Sequence, residues 1–313
     1  MEQREKKQVL KIGGVTLNSR LLLAPMAGYT DIAFRRLCRD FGAALTATEM
    51  VSAKGLLHGS LKTAALLNIA ADETPSCAQL FGADANDFAA ALQHNALAHF
   101  DIIDINMGCP MPKITKSGGG SALLSNPSAA AGIVEACAKA GRTVTVKVRL
   151  GKDNGQNALS FCRMLQNAGA AAIAVHGRTA AQLYTGKADW DAIGTIAAAL
   201  KIPVIGNGDV LSINEAEEKL STYPIAGILI GRGALRNPAV FSHTAQPKLK
   251  EIILQHIAYS LMYFPARYTL LTLRKHFAYY FKGVLHGKEI KEQWLKASNP
   301  DTLMQLIKDT HIA

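Results

Sequence analysis

No apolar run in the 313 residues approaches the ~18 uninterrupted positions of a membrane-crossing helix. Residues 1–8 are charged and lack the apolar stretch of a secretory signal, so a cytoplasmic protein with no membrane partner is expected. Cysteine is scarce: Cys38, Cys77, Cys109, Cys137 and Cys162 lie far apart with no C-x-x-C pair. That spacing excludes a disulfide framework, a zinc ribbon or a redox dithiol, so reduced thiols and no metal are expected. Acidic residues are also few, 24 against 34 Lys and Arg, and the net charge of +10 permits a polyanionic partner without requiring one. The glycine fingerprint of a dinucleotide-binding open sheet is missing as well. The first strand-like run, Leu21-Leu22-Leu23-Ala24, ends instead in Pro25-Met26-Ala27-Gly28.

What the chain does contain is a repeated pattern. An apolar run of strand length ending in polar or glycine residues occurs at 21–28, 44–51, 76–82, 102–110, 143–151, 171–178, 202–209 and 226–233. Helical stretches at 86–99, 127–140, 157–168, 190–200 and 213–220 lie between most of them, and Thr30-Asp31 caps another. Eight β-then-α units predict a closed (β/α)₈ TIM barrel over residues 1–245, with a doubly wound open sheet as the alternative. Beyond 245 the rhythm stops. Residues 251–264, 268–285 and 290–307 read as helices of a smaller all-α domain, 246–313. This domain has ten Lys and Arg against five Asp and Glu, half of the whole surplus.

In a barrel the carboxyl ends of all strands converge on one mouth, where catalytic residues sit. The strand 102–105 delivers Cys109 to a turn there, through Asn106-Met107-Gly108-Cys109-Pro110. Lys147 lies within Val144-Thr145-Val146-Lys147-Val148-Arg149, where alternation turns it away from the valines into the barrel. A lysine there needs an anion. His176 ends the next strand and can donate to a carbonyl. Asn207-Gly208-Asp209 and Gly231-Arg232-Gly233 are turns after the last two strands, where many barrels hold a phosphate. Together these suggest a phosphorylated cofactor with its ring near Lys147 and Gln79, and a flavin fits because a cation near its pyrimidine edge stabilises the anionic reduced form.

These motifs, with Ala24-Pro25-Met26-Ala27-Gly28-Tyr29-Thr30-Asp31 and Val175-His176-Gly177-Arg178-Thr179, together resemble the tRNA-dihydrouridine synthases over nearly the whole chain. The resemblance implies an FMN-dependent barrel, a helical tRNA-binding domain and NADPH or NADH as reductant; a monomer is expected. It implies that Pro25, Met26, Ala27, Gln79, Lys147, His176, Asn207, Gly208, Asp209, Gly231 and Arg232 bind FMN. Asn106, Lys147, His176 and Arg178 would then lie near a flipped-out D-loop uridine, with Cys109 as proton donor. The opening motif and Arg274-Lys275-His276 resemble the B-type branch, whereas Lys116-Ser117-Gly118-Gly119-Gly120-Ser121 is more like the C-type, so the branch stays open.

The implied chemistry suits these residue types. Saturating the C5=C6 bond of uracil takes a hydride at C6 and a proton at C5, so one face needs a flavin and the other an acid. An ordinary thiol, with a pKa of about 8.5, is mostly neutral at pH 7 and can give that proton. Lys147, His176 and Asn106 can stabilise the developing enolate oxygen. A stacked base hides both faces, so the uridine must leave its stack, which a tRNA loop permits more readily than a duplex. On the helix 268–285, Arg274, Lys275 and Lys282 are expected on one exposed face to contact tRNA, with Leu273, Phe277 and Tyr280 turned inward. A flavin barrel acting on a free pyrimidine, and a barrel that only binds RNA, remain as alternatives. The basic helical domain stands against the first, and the set Cys109, Lys147 and His176 against the second.

Overall fold

A computed structural model describes residues 9–153, 157–244 and 247–310. The basic segment 1–8 and the boundary expected at 245/246 lie outside the described residues. The chain opens with an antiparallel hairpin, β1 (Leu10–Ile12) and β2 (Val15–Leu17), turned by Gly13-Gly14. The barrel follows: β3 (Leu21–Leu23), β4 (Val51–Ser52), β5 (Cys77–Phe81), β6 (Ile102–Met107), β7 (Thr143–Arg149), β8 (Ala172–His176), β9 (Val204–Asn207) and β10 (Gly227–Ile230). All barrel pairings are parallel, in the order β3-β10-β9-β8-β7-β6-β5-β4. The ring closes through bridges from Leu23 to Thr46 and from Ala47 to Cys77. The closed barrel expected from the sequence is therefore the observed fold, and the open-sheet alternative is excluded.

The strands show why. Alternate residues such as Val144, Val146 and Val148 face outward, where they join one large core with the helices. At the foot of the barrel, Leu22, Ile102, Ala172, Ile205 and Leu229 point inward and pack with Leu10, Ile12 and Leu17, so the hairpin plugs that end. Near the mouth the inward positions turn polar. The second strand is less regular than the apolar run 44–51 suggests. Between its two pairing points it has one more residue than β5 (Ala47 to Val51 against Cys77 to Leu80), which interrupts the ladder at Glu49.

Around the barrel lie α1 (Ile32–Asp40), α2 (Ala53–Leu57), α3 (Leu61–Ala65), α4 (Ala85–Ala91), α5 (Pro112–Thr115), α6 (Pro127–Lys139), α7 (Ala158–Asn167), α8 (Trp190–Ala199), α9 (Ile213–Thr222) and α10 (Arg232–Arg236). The helix expected at 86–99 stops early, because His94 caps a separate 3₁₀ turn by accepting from the Ala96 N–H at 3.2 Å. The C-terminal helices are α11 (Leu249–Tyr263), α12 (Ala266–Tyr280), α13 (Gly287–Trp294) and α14 (Pro300–Asp309). The stretch 290–307 is thus two helices, divided where Asn299 caps the Thr302 N–H at 2.9 Å and Pro300 takes the first helical position.

These helices enclose their own core of Ile253, Ile257, Leu273, Phe277, Tyr280, Trp294, Leu303 and Ile307. They meet the barrel at α1, where the Phe34 ring lies 5.5 Å from His256 and 4.7 Å from His276. Arg35 of α1 makes a two-pronged pair with Glu73 at 2.6 and 3.0 Å, buried on both sides, and Thr46 donates to the same carboxylate at 2.7 Å. This pair ties the first helix to the strand that closes the ring.

Candidate active site

Strand register gathers the polar inward positions. Asn106 lies opposite Lys147, Arg149 opposite His176, and His176 opposite Asn207. Lys147 Nζ donates to Asn207 Oδ1 at 3.1 Å, and Asn207 Nδ2 donates to the Leu229 carbonyl at 2.8 Å. Burial, reinforced by the nearby Arg149 charge, lowers the Lys147 ammonium to about 8. Asn106 Oδ1 accepts the Cys109 N–H at 2.9 Å and that of Gly108 at 3.3 Å, so the strand end itself shapes the thiol-bearing turn. Of the five cysteines, Cys109 is the one that is not buried. The other four thiols are pushed up by burial, to about 12 at Cys137 and Cys162.

The glycine run 118–120 has a local reason. Gly120 sits at φ +58° against the Cys109 turn, and a Cβ there would stand 2.6 Å from the Cys109 carbonyl oxygen and 2.9 Å from Ile114 Cγ2. Glycine is required both by the left-handed backbone and by that close approach.

Two arginines brace the mouth. Arg149, which in the sequence stands out only as a neighbour of Lys147, is buried. Its Nε donates to the Gly108 carbonyl at 3.0 Å, and its Nη1 donates to the Thr179 and Leu183 carbonyls, both at 2.8 Å. It therefore clamps the cysteine turn to the loop after β8. Arg178, expected near a substrate, is also buried, and its donors go to the Thr185 and Gly186 carbonyls and to Asp209 Oδ2. Asp209 accepts as well from Arg232 at 3.0 Å and from the Ala188 N–H at 2.8 Å. Burial alone would raise its carboxyl, but the Arg178 bond, the Ala188 bond and the two guanidinium charges outweigh this and hold it below its usual range. A carboxylate so engaged orients Arg178 and Arg232.

His176 is buried and driven down to about 2, first by burial and then by the charges of Lys147, Arg149, Arg178 and Arg232. It is neutral. Arg178 Nη1, which can only donate, lies 3.4 Å from His176 Nε2, so that nitrogen accepts and the ring proton is assigned to Nδ1. Four cations acting on one ring make the mouth strongly electropositive. Tyr184, which no sequence motif marks, stands exposed over this rim, with Arg232 4.8 Å and Arg149 5.7 Å from its ring centre. On the other side, Pro25, Met26 and Ala27 form the turn after β3. The Met26 carbonyl accepts from Tyr29 and Thr30, and its sulfur lies 3.5 Å from where a Gly231 Cβ would be. Gly208 lies at the same end against Ala188 and His176, while Gln79 is buried one level below, level with Asp104, and reaches the mouth through Asn106, whose Nδ2 donates to its Oε1 at 3.0 Å.

The C-terminal basic residues divide. Leu273, Phe277 and Tyr280 are buried and Arg274 is exposed, as expected. Lys275 reaches the barrel, its Nζ donating to the Gly28 carbonyl at 2.5 Å and lying 5.7 Å from the Tyr29 ring centre. Lys282 does not share their helical face. α12 ends at Tyr280 and the chain turns at Gly283, φ +89°, so the spacing of eight no longer defines a stripe.

A parallel eight-stranded barrel with a reachable thiol and a cluster of cations at the carboxyl ends of its strands is a (β/α)₈ enzyme with an anion-attracting mouth. The family model described as dihydrouridine synthase matches residues 22–312. A tRNA-dihydrouridine synthase B of Pseudomonas putida is 39% identical over 300 residues, covering 91% of this chain and 89% of the relative. A probable tRNA-dihydrouridine synthase of Rickettsia conorii is 37% identical over 301 residues, 90% of each chain. This chain belongs to the dihydrouridine synthase family. Among solved structures, histamine dehydrogenase from Rhizobium sp. 4-9 shares the fold, with a TM-score of 0.57 at 13% identity over 81% of this chain and 50% of that one.

Proposed function

We propose that this protein reduces the C5=C6 bond of a uridine in the D-loop of tRNA, using FMN and NADPH, with Cys109 as the proton donor. The observation that carries the reading is the mouth itself. The one cysteine that is not buried stands at the end of a barrel whose mouth is held electropositive by Lys147, Arg149, Arg178 and Arg232. The donor set fits a flavin phosphate and an electron-rich ring. Arg232 and the turns at Asn207-Gly208-Asp209 and Gly231 would hold the phosphate end, with Asp209 orienting the arginine. Lys147, Gln79 and the Pro25-Met26-Ala27 turn would hold the ring.

When bound and reduced, FMN supplies the hydride for C6. The protein supplies the rest. Cys109 Sγ–H gives its proton to C5, and Arg149 and Asn106 hold its turn in place. Neutral His176, with its proton on Nδ1, and the Lys147 ammonium are donors suited to the uracil carbonyl oxygens as negative charge develops. Arg178 supports this side indirectly, through its contacts with His176 and Asp209.

The C-terminal helices serve as the tRNA-binding part. Lys275 joins α12 to the first loop of the mouth, and its neighbour Arg274, which is exposed, would take a phosphate of folded RNA. A free pyrimidine would have no use for such a surface. The proposal predicts that the purified protein is yellow and releases FMN on denaturation, that NADPH bleaches it, and that unmodified tRNA restores the colour. A colourless protein that FMN does not reconstitute would contradict it.

A further inference from the structure

Asp104 belongs to the same strand as Asn106, two residues earlier on the inward face, and is buried below the mouth. Its Oδ1 accepts from Thr145 Oγ1 at 2.7 Å and its Oδ2 accepts from Gln79 Nε2 at 2.7 Å. Gln79 Oε1 in turn accepts from Asn106 Nδ2 at 3.0 Å, and Asn106 Oδ1 accepts the Cys109 N–H. Every link has a direction. A backbone N–H can only donate, so Asn106 must present its oxygen to the cysteine turn and its NH₂ to Gln79. Gln79 must then offer its oxygen to Asn106 and its NH₂ downward, where Asp104 waits as an acceptor. Both ends impose the same orientation on two amides that could otherwise flip.

We infer that Asp104 is a positioning residue that fixes the orientation of Gln79 and Asn106, and through them the placement of the Cys109 turn. The two amides lie on different sides of the proposed chemistry, Gln79 at the cofactor ring and Asn106 at the thiol. One carboxylate thereby sets both. Burial raises the Asp104 carboxyl, while the bonds from Gln79 and Thr145 and the Lys147 charge favour its ionised form, so the interior meets this group with donors. An asparagine at 104 could keep its oxygen toward Gln79 and turn its NH₂ to the Thr145 hydroxyl, which can accept as well as donate. An alanine would leave the Gln79 NH₂ without its acceptor.

The test uses Asp104→Ala, Asp104→Asn, Gln79→Ala and the double variant Asp104→Ala/Gln79→Ala, with two readouts. The first is deuterium uptake at the Gly108 and Cys109 amides in flavin-free protein, which reads the relay without cofactor or tRNA. The second rests on the proposed function: the rate at which tRNA reoxidises the reduced protein, split into kcat and KM. Asp104→Ala is expected to speed uptake at those amides and lower kcat by roughly tenfold each, with KM for tRNA little changed. Asp104→Asn should stay within about threefold of the parent, and the double variant should be no worse than Gln79→Ala alone. Parental uptake in Asp104→Ala, or losses that multiply in the double variant, would overturn the inference. If Asp104→Ala does not fold, Gln79→Ala cuts the same relay one link further on, and parental uptake there has the same force. Failure of the parent itself to be reoxidised by tRNA would strike the proposed function and leave the uptake result standing.

Discussion

Cys109→Ala should retain FMN and its reduction by NADPH, yet slow reoxidation by tRNA by about 10²-fold or more, the scale for removing a general acid. The separation of the two halves follows from where the residues lie. Cys109 sits on the turn after β6, held by Asn106 and Arg149, whereas the groups assigned to the flavin come from β3, β5, β7, β9 and β10. Removing one Sγ leaves the Gly120 approach and the Arg149 clamp in place, because both are made to backbone carbonyls of the turn. Stopped-flow absorbance, following bleaching by NADPH and recovery on adding tRNA, measures each half in turn. Recovery at the parental rate would mean that another acid, or solvent, protonates C5.

Lys147→Ala should weaken FMN binding by about 10- to 100-fold, the range for losing a charged hydrogen-bond partner at an enclosed site. The pH dependence has a definite sign. In the free protein, burial and then Arg149 lower the ammonium from its ordinary 10.5 to about 8, and an anionic ligand beside it favours the charged form and raises it again. FMN affinity should therefore be level below about pH 8 and fall above it, with the slope of one proton, until the pKa of the complex is reached. In Lys147→Ala that slope should vanish.

Folding has the opposite sign. Because the folded-state value lies below the unfolded one, the charged lysine weakens the flavin-free fold below about pH 8, and the penalty fades as pH rises toward 10.5. At pH 7 Lys147→Ala sheds this penalty but also loses the bond to Asn207, so melts of the flavin-free proteins separate a loss of FMN binding from a loss of fold. Fluorescence titration across pH, with thermal melts alongside, checks both.

Residues whose environment follows from strand alternation are legible in the sequence alone. Lys147 turns inward because its neighbours Val146 and Val148 turn outward, and the polar ends of successive strands do converge. The same rule reaches Asp104 and Arg149, two positions from Asn106 and Lys147 on the inward face, but neither carries a loop signal to draw attention. The hairpin plug has a local signal of its own, Gly13-Gly14 between alternating residues, although nothing local says that it will close the foot of a barrel. The split at Ser298-Asn299-Pro300 has one too, an N-cap followed by proline.

Other features depend on tertiary contacts that no local pattern encodes. Tyr184 owes its place to the path of the loop between Arg149 and Arg232. Lys275 reads in the sequence as part of an exposed basic face, and no local pattern says that it is bound to Gly28, 247 residues away. In the run 118–120, which resembles another branch of the family, Gly120 is accounted for by how closely it approaches the Cys109 carbonyl and Gly118 by its left-handed backbone, φ +80°.

The most direct test of the account is a mass measurement on the product. The purified protein is incubated with FMN, NADPH and an unmodified tRNA transcript, and the RNA is digested and its fragments weighed. The account predicts that a single D-loop uridine gains the mass of two hydrogens, and that the gain disappears when NADPH is withheld or when Cys109 is alanine on the same timescale. A transcript of unchanged mass, recovered from a protein that carries FMN and is reduced by NADPH, would contradict it.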